Sequence, residues 1–185
     1  MSGTIAVLPF DSENGHIQPT DGVYQQNGSS IDLESQTSSH PHCILLDKKE
    51  ENAISADLGS DELLRAIQTI STLPPNFTSI NYAAELLLHP VSGKFLYASN
   101  RGHDSIAVFQ VDKTTGLLTI IQHINVQGRT PRNFNILPNG MHLIVANQDS
   151  DNLVVFSIDQ TTGMLTKTDV SARVSKPTCI KFLIP

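Results

Sequence analysis

His42, Glu85 and Arg132 supply three side-chain chemistries that can open or close an ester without a metal. An imidazole titrates near neutrality and moves a proton. A carboxylate accepts protons and hydrogen bonds, and a guanidinium binds an anion or a developing oxyanion. His40 lies two residues before His42, on the same face if this stretch is a strand, and Asn133 follows Arg132. The two imidazoles in His40-Pro-His42-Cys43 fall short of a zinc site, which needs a third and usually a fourth ligand. No partner for them is evident, so no metal is expected. Neither a glycine-rich phosphate loop nor a nucleophile elbow is present, and no cofactor is expected. Each residue alone also fits a structural role: His42 as a bonded strand histidine, Glu85 as a polar strand start, Arg132 as a loop clamp.

These residues are far apart in the chain, so a repeated element must bring them together. Such an element is visible. Phe95-Leu-Tyr-Ala-Ser-Asn-Arg-Gly-His-Asp-Ser-Ile-Ala-Val-Phe109 matches His142-Leu-Ile-Val-Ala-Asn-Gln-Asp-Ser-Asp-Asn-Leu-Val-Val-Phe156 at a spacing of 47 residues. Asp112, Thr115-Gly116 and Leu118-Thr119 recur at the same spacing as Asp159, Thr162-Gly163 and Leu165-Thr166. Each unit reads as four short strands, in the better-preserved case over 84–89, 95–99, 105–111 and 117–125. The Asp-x-Thr-Thr-Gly stretches read as hairpin loops, as does Pro138-Asn139-Gly140. Four strands per 40–50 residues is the signature of a β-propeller blade. The absence of tryptophan disfavours the Trp-Asp repeat type.

Aligning the inner strands places His42/Cys43, Ala84/Glu85, Arg132/Asn133 and Thr178/Cys179 in one slot. Inner strands line the central channel, so a histidine, a carboxylate and an arginine in that slot converge on one axis. Asn100 and Asp104 recur as Asn147 and Asp151 and read as turn formers. Arg101 and His103 are replaced by Gln148 and Ser150, which leaves them freer to contact a ligand. Cys179 lies in an apolar stretch and is expected to be buried.

The first half holds damaged copies. Thr4–Asp11 matches Ser105–Asp112, so the chain begins inside a blade. Residues 56–61 match 99–104, and shortly afterwards Leu64–Ile70 matches Leu118–Ile124 at a spacing of 54. The register jumps by 11 residues near Asp61-Glu62. The expected organisation is a half blade over 1–25 and a blade lacking a strand over 41–75. Complete blades follow over 83–130 and 131–177, with the first strand of another over 178–185. Residues 18–40 read as a long exposed loop, and 64–70 as strand in preference to helix. The expected fold is all-β, a partial β-propeller of about four incomplete four-stranded blades. It would form part of a larger ring.

Composition narrows the partners. Lys and Arg total 12 against 18 Asp and Glu, giving a net charge of −6. Such a balance, with no basic cluster, disfavours nucleic acid. Apolar runs of four to six residues are too short to span a membrane. The first ten residues lack the positive start and long apolar run of a signal peptide. A cytoplasmic location with two reduced thiols is expected.

Ala83-Ala-Glu85, Phe95–Phe109, Thr130-Pro-Arg-Asn-Phe134 and Val145-Ala-Asn-Gln-Asp-Ser-Asp-Asn152 resemble the seven-bladed lactonase family. That family includes bacterial-type 6-phosphogluconolactonases and fungal carboxy-muconate cyclases. The resemblance runs, with gaps, from about residue 2 to the end. It implies a metal-independent reaction on a small anionic sugar lactone. His42 would move the proton and Arg132 would stabilise the oxyanion, with His40, Glu85, Arg101 and Asn133 as substrate contacts. Two catalytic stretches of the family, Gly-Pro-Arg-His and Asn-Glu-Leu, are absent from this sequence, and Glu62 and Arg65 do not replace them. Impaired hydrolysis of 6-phosphogluconolactone is therefore expected. The alternatives are a non-catalytic module that binds or self-associates through open strand edges, and a muconate-type lactonising cyclase.

Overall fold

The computed structural model describes residues 68–183, and before them the backbone of four strands. Those are β1 (Thr4–Val7), β2 (Gly22–Gln25), β3 (Pro41–Leu46) and β4 (Ala53–Asp57). β1 pairs with β2 and β3 with β4. The backbone divides into two compact units, residues 1–41 with 57–67 and residues 42–56 with 68–185. The second unit holds, besides most of the β3–β4 pair, two four-stranded antiparallel sheets. One is β5 (Tyr82–Leu88), β6 (Phe95–Arg101), β7 (Ser105–Val111) and β8 (Leu118–Asn125), in that order. The other is β9 (Pro131–Ile136), β10 (His142–Asn147), β11 (Asn152–Ile158) and β12 (Leu165–Arg173). Both are four-stranded meanders with neighbours in chain order, as blades require. One 3₁₀ turn, Gln148–Ser150, is the only helical element among the described residues. No helix there is long and apolar enough to cross a membrane.

Burial explains the difference between the two copies. Phe95, Tyr97, Ile106 and Val108 of the first blade pack on Phe134, Leu143, Val145, Val154 and Phe156 of the second. The opposite face of the first blade buries Leu86, Leu96, Ala98, Ala107 and Phe109, with Ile70 packed against them. With both faces covered, β6 is buried at six successive positions, Phe95 to Asn100. A strand covered on both sides needs a near-continuous apolar run rather than alternation. In the second blade, β11 alternates between buried and half-buried residues. His142, Ile144, Leu153 and Val155, the counterparts of Phe95, Tyr97, Ile106 and Val108, are half-buried.

The hairpin loops form as their residue types require. Asp112 Oδ1 accepts from the amides of Thr114 and Thr115, and Asp159 Oδ1 from those of Thr161 and Thr162. Gly163 has φ +73°, and a Cβ there would run into the Phe95 ring. Its carbonyl accepts from the buried Tyr97 hydroxyl at 2.9 Å, so this loop also docks one blade on the next. Burial pushes the Tyr97 phenol well above its ordinary value. His89, also buried, connects the blades through Nε2 and the Gly140 carbonyl, while Nδ1 accepts from the Ser92 amide.

The threonine amides hold both aspartates below the ordinary value of 3.8. A lowered folded-state value stabilises the fold above 3.8, and that contribution is lost as pH falls through the folded-state values. Converting Asp112 and Asp159 together to Asn is therefore expected to flatten the loss of stability below pH 3.8. Urea denaturation across that range checks it; an unchanged acid slope would contradict it.

Asparagine, not only the turn, is what the repeat preserves. Asp104 and Asp151 are turn residues, with φ of 52° and 55°. Asn100, next to last in β6, and Asn147, last in β10, instead belong to the second strands and are fully buried. Asn100 Nδ2 donates to the Thr72 carbonyl, and Asn147 Nδ2 to that of Val126. The acceptors are 54 residues apart. Gln68 clamps the backbone N and O of Leu118, as Gln122 clamps those of Leu165, again with the clamping residues 54 apart. Residues 68–72 thus take the place of an outer strand in register, although 68–70 form no ladder.

Four other expectations change. β2 (Gly22–Gln25) falls within residues 18–40, where a long loop is expected. The inner strand starts at Tyr82 rather than 84. Residues 178–183 form no strand. They are attached to β9 by side chains instead: Asn133 Oδ1 accepts from the Ile180 amide and Asn135 Nδ2 donates to its carbonyl. Cys179 is exposed, because this segment packs on one side only.

Candidate anion-binding site

β9 of the second blade lies against β5 and β6 of the first, and β5 and β9 both break register at their entry. Between the pairs Ala83↔Asn100 and Leu86↔Ala98, two residues, Ala84 and Glu85, face the single Ser99. Arg132 similarly drops out of the ladder between Pro131 and Asn133. Such bulges re-aim side chains that a regular pleat would fix. The Glu85 amide donates to Ser99 Oγ at 3.0 Å in place of a ladder bond.

Across the interface Asn133 Nδ2 donates to Glu85 Oε2, and the Leu86 amide donates to Glu85 Oε1 at 3.2 Å. The structure therefore brings Glu85 and Asn133 together. Asn133 is engaged at both ends of its carboxamide, by Glu85 and by Ile180. That makes it a positioning residue for the carboxylate.

Arg101 ends β6 opposite Tyr82, the first residue of β5. Its Cζ lies 5.7 Å from the Tyr82 ring centroid, a cation–π distance worth about 0.5–1 kcal/mol at exposed sites. Burial lowers the guanidinium below its ordinary value, and the nearby charge of Arg132 acts in the same direction, opposed by Tyr82. Arg101 Nε is sealed from solvent with no hydrogen-bond partner. A buried polar group in that state costs about 1–3 kcal/mol. Arg132 is exposed beside it. A half-buried guanidinium with an unpaired donor, within reach of the charge of an exposed second one, favours an anion as the missing partner.

Gln148 occupies the position of Arg101 in the next blade. Its amide donates to the Thr130 carbonyl at 3.0 Å, and its Oε1 is also sealed without a partner. The sequence pattern flagged Arg101 because it fails to recur. The same signal applied to Gln148, which replaces it.

His103 is held in place rather than free. Its Nδ1 is 2.7 Å from Ser105 Oγ, its amide donates to Asn81 Oδ1, and its ring meets Phe77 edge-on at 4.8 Å. His123 lies 6.2 Å away and bonds the Thr72 carbonyl at 3.0 Å. Burial holds it below the ordinary histidine value; the Thr72 bond opposes this, and His103 adds to it. His42 stands on β3, with its side chain outside the described residues, and His40 lies outside them entirely. Among the described residues no cluster of His, Cys, Asp and Glu could hold a metal.

Comparison with known proteins places this geometry. The family pattern "Lactonase, 7-bladed beta-propeller" matches residues 1–65 and 63–182. The two stretches meet a few residues from the register jump at Asp61-Glu62. A 6-phosphogluconolactonase of Bacillus subtilis is 33% identical over 174 residues, covering 88% of this chain and 49% of that protein. A 6-phosphogluconolactonase of Formosa agariphila is 49% identical over 63 residues, 33% of this chain and 18% of that one. The chain thus spans half or less of the length of these relatives. The solved structure of the periplasmic gluconolactonase of Pseudomonas aeruginosa superposes with a TM-score of 0.69 at 24% identity, covering 98% of this chain and 66% of that one. That likeness concerns the fold. Repeat, blades and family pattern agree: the chain belongs to the seven-bladed β-propeller lactonase family.

Proposed function

We propose that this chain binds a phosphorylated sugar-acid lactone at the Arg101–Arg132 mouth and hydrolyses it slowly. The observation that carries the reading is the pair of neighbouring guanidiniums at the entry to the inner strands, with Arg101 Nε unpartnered, beside a carboxylate fixed by Asn133. Relatives named 6-phosphogluconolactonase support the substrate class. Hydrolysis adds water across the ring ester. Water attacks the carbonyl carbon and loses a proton, the carbonyl electrons move to oxygen, and collapse expels the ring oxygen, which is protonated to a hydroxyl. Arg132 stabilises the oxyanion, His42 takes the proton of the attacking water, and Glu85 accepts a substrate hydroxyl. His40 completes the substrate contacts. Loss of one oxyanion donor typically costs about 10²–10³ in rate. The absent Gly-Pro-Arg-His and Asn-Glu-Leu stretches thus predict turnover at least about 10²-fold below that of a complete relative.

A pH-stat assay on 6-phosphogluconolactone, corrected for spontaneous opening, tests this. Expected is acid release above background that falls to background in Arg132→Ala. Turnover equal to that of the Bacillus subtilis relative, no turnover at all, or an Arg132→Ala variant as active as the unsubstituted chain contradicts the reading.

The half-buried face formed by His142, Ile144, Leu153 and Val155 favours a second, non-catalytic reading, self-association through that face. Sedimentation that shows a monomer at every concentration would remove it.

A further inference from the structure

Arg101 and Gln148 hold the same slot in successive blades, and each has one polar atom that is buried and unpartnered. Their surroundings repeat as well. Arg101 is paired with Tyr82 at the start of β5, and the Gln148 amide bonds the Thr130 carbonyl just before β9. Arg132 lies two residues beyond Thr130, and its charge reaches Arg101. The guanidinium offers only donors. The carboxamide offers an acceptor and two donors. The two slots therefore present complementary chemistry at equivalent places in adjoining blades.

We propose that Gln148 is a specificity residue that reads a hydroxyl of the bound ligand, while Arg101 and Arg132 take its anionic group. A hydroxyl both donates and accepts, so it pairs with either end of the carboxamide. The ligand is thus a polyhydroxylated anion, and inorganic phosphate alone uses only the arginine part. This inference rests on reading the mouth as a sugar-acid site and adds a residue and a division of labour to it.

Isothermal titration of the full chain with 6-phosphogluconate and with inorganic phosphate tests it. Gln148→Leu is expected to weaken 6-phosphogluconate binding about tenfold and to leave phosphate binding unchanged, the loss of one good hydrogen bond. Gln148→Glu keeps the length, adds a negative charge and is expected to weaken both ligands. Arg101→Gln is expected to weaken both by tenfold or more. The inference fails if Gln148→Leu leaves both affinities unchanged or lowers them equally, or if the unsubstituted chain binds no 6-phosphogluconate. Its failure is separable from that of the lactonase reading. Binding with this pattern but without acid release sinks the hydrolysis and keeps Gln148. Acid release with an indifferent Gln148 does the reverse.

Discussion

Phe156→Ala is expected to lower the free energy of unfolding by about 3–5 kcal/mol, the range for truncating a buried aromatic side chain. Phe156 is fully buried in the cluster that joins the two blades, with Phe95 and Tyr97 contributed from the neighbouring sheet. Truncation removes contacts on both sides, and two sheets anchored by hydrogen-bonded ladders cannot collapse far enough to fill the space. Ile120, on β8 and 37% exposed, provides the comparison. Its change to Ala should cost about 1–2 kcal/mol, less than at Phe156, because 37% of its surface stays in water and it belongs to neither buried cluster. Urea denaturation of both variants measures the difference. Equal losses would mean that the sheets do not pack through this face.

Asn100→Ala is expected to cost about 2–4 kcal/mol, and Asn147→Ala about 1–2 kcal/mol, although the two share one repeat position. Asn100 Nδ2 donates to the Thr72 carbonyl, while Oδ1 accepts from the Thr72 hydroxyl at 2.7 Å and from Asn81 Nδ2 at 3.1 Å. Truncation therefore strips several partly buried groups of a partner at once. Asn147 donates to the Val126 carbonyl, but its Oδ1 already lacks a partner, since a valine stands where the first blade has Thr72. Losing Asn147 thus removes one good bond and one buried group that was never paired. Differential scanning calorimetry on the two variants gives the order; a larger loss at Asn147 would contradict it.

Blade architecture was legible because it depends on local chemistry repeated at a fixed spacing. The Asp-x-Thr-Thr-Gly loops need a short carboxylate for the turn amides and a glycine at positive φ, and both recur 47 residues apart. The 54-residue register of 68–72 was also legible. Their strand state was not, since a ladder depends on what lies alongside and side-chain clamps can hold a segment without one. Asn100 and Asn147 were read as turn residues because they recur, with Asp104 and Asp151, between stretches that read as strands. Their burial depends on the neighbouring blade, which no local pattern reveals. Cys179 failed for a related reason, since its apolar surroundings pack on one side only. At the site, repeat alignment correctly set Glu85 beside Asn133. It missed the bulges that release Glu85 and Arg132 from the ladder, because a bulge appears only when two strands are counted against each other. Gln148 was passed over because glutamine carries no charge to attract notice.

The central claim is that Arg101 and Arg132 together receive the anionic group of a sugar acid. Arginine Nε–H resonances, followed by ¹H–¹⁵N NMR during titration with 6-phosphogluconate, test it most directly. The account predicts that the Arg101 and Arg132 signals move together along one saturating curve, while those of Arg129 and Arg173 stay in place. Shifts confined to Arg129 or Arg173, or an Arg101 signal that does not respond at saturation, would contradict it.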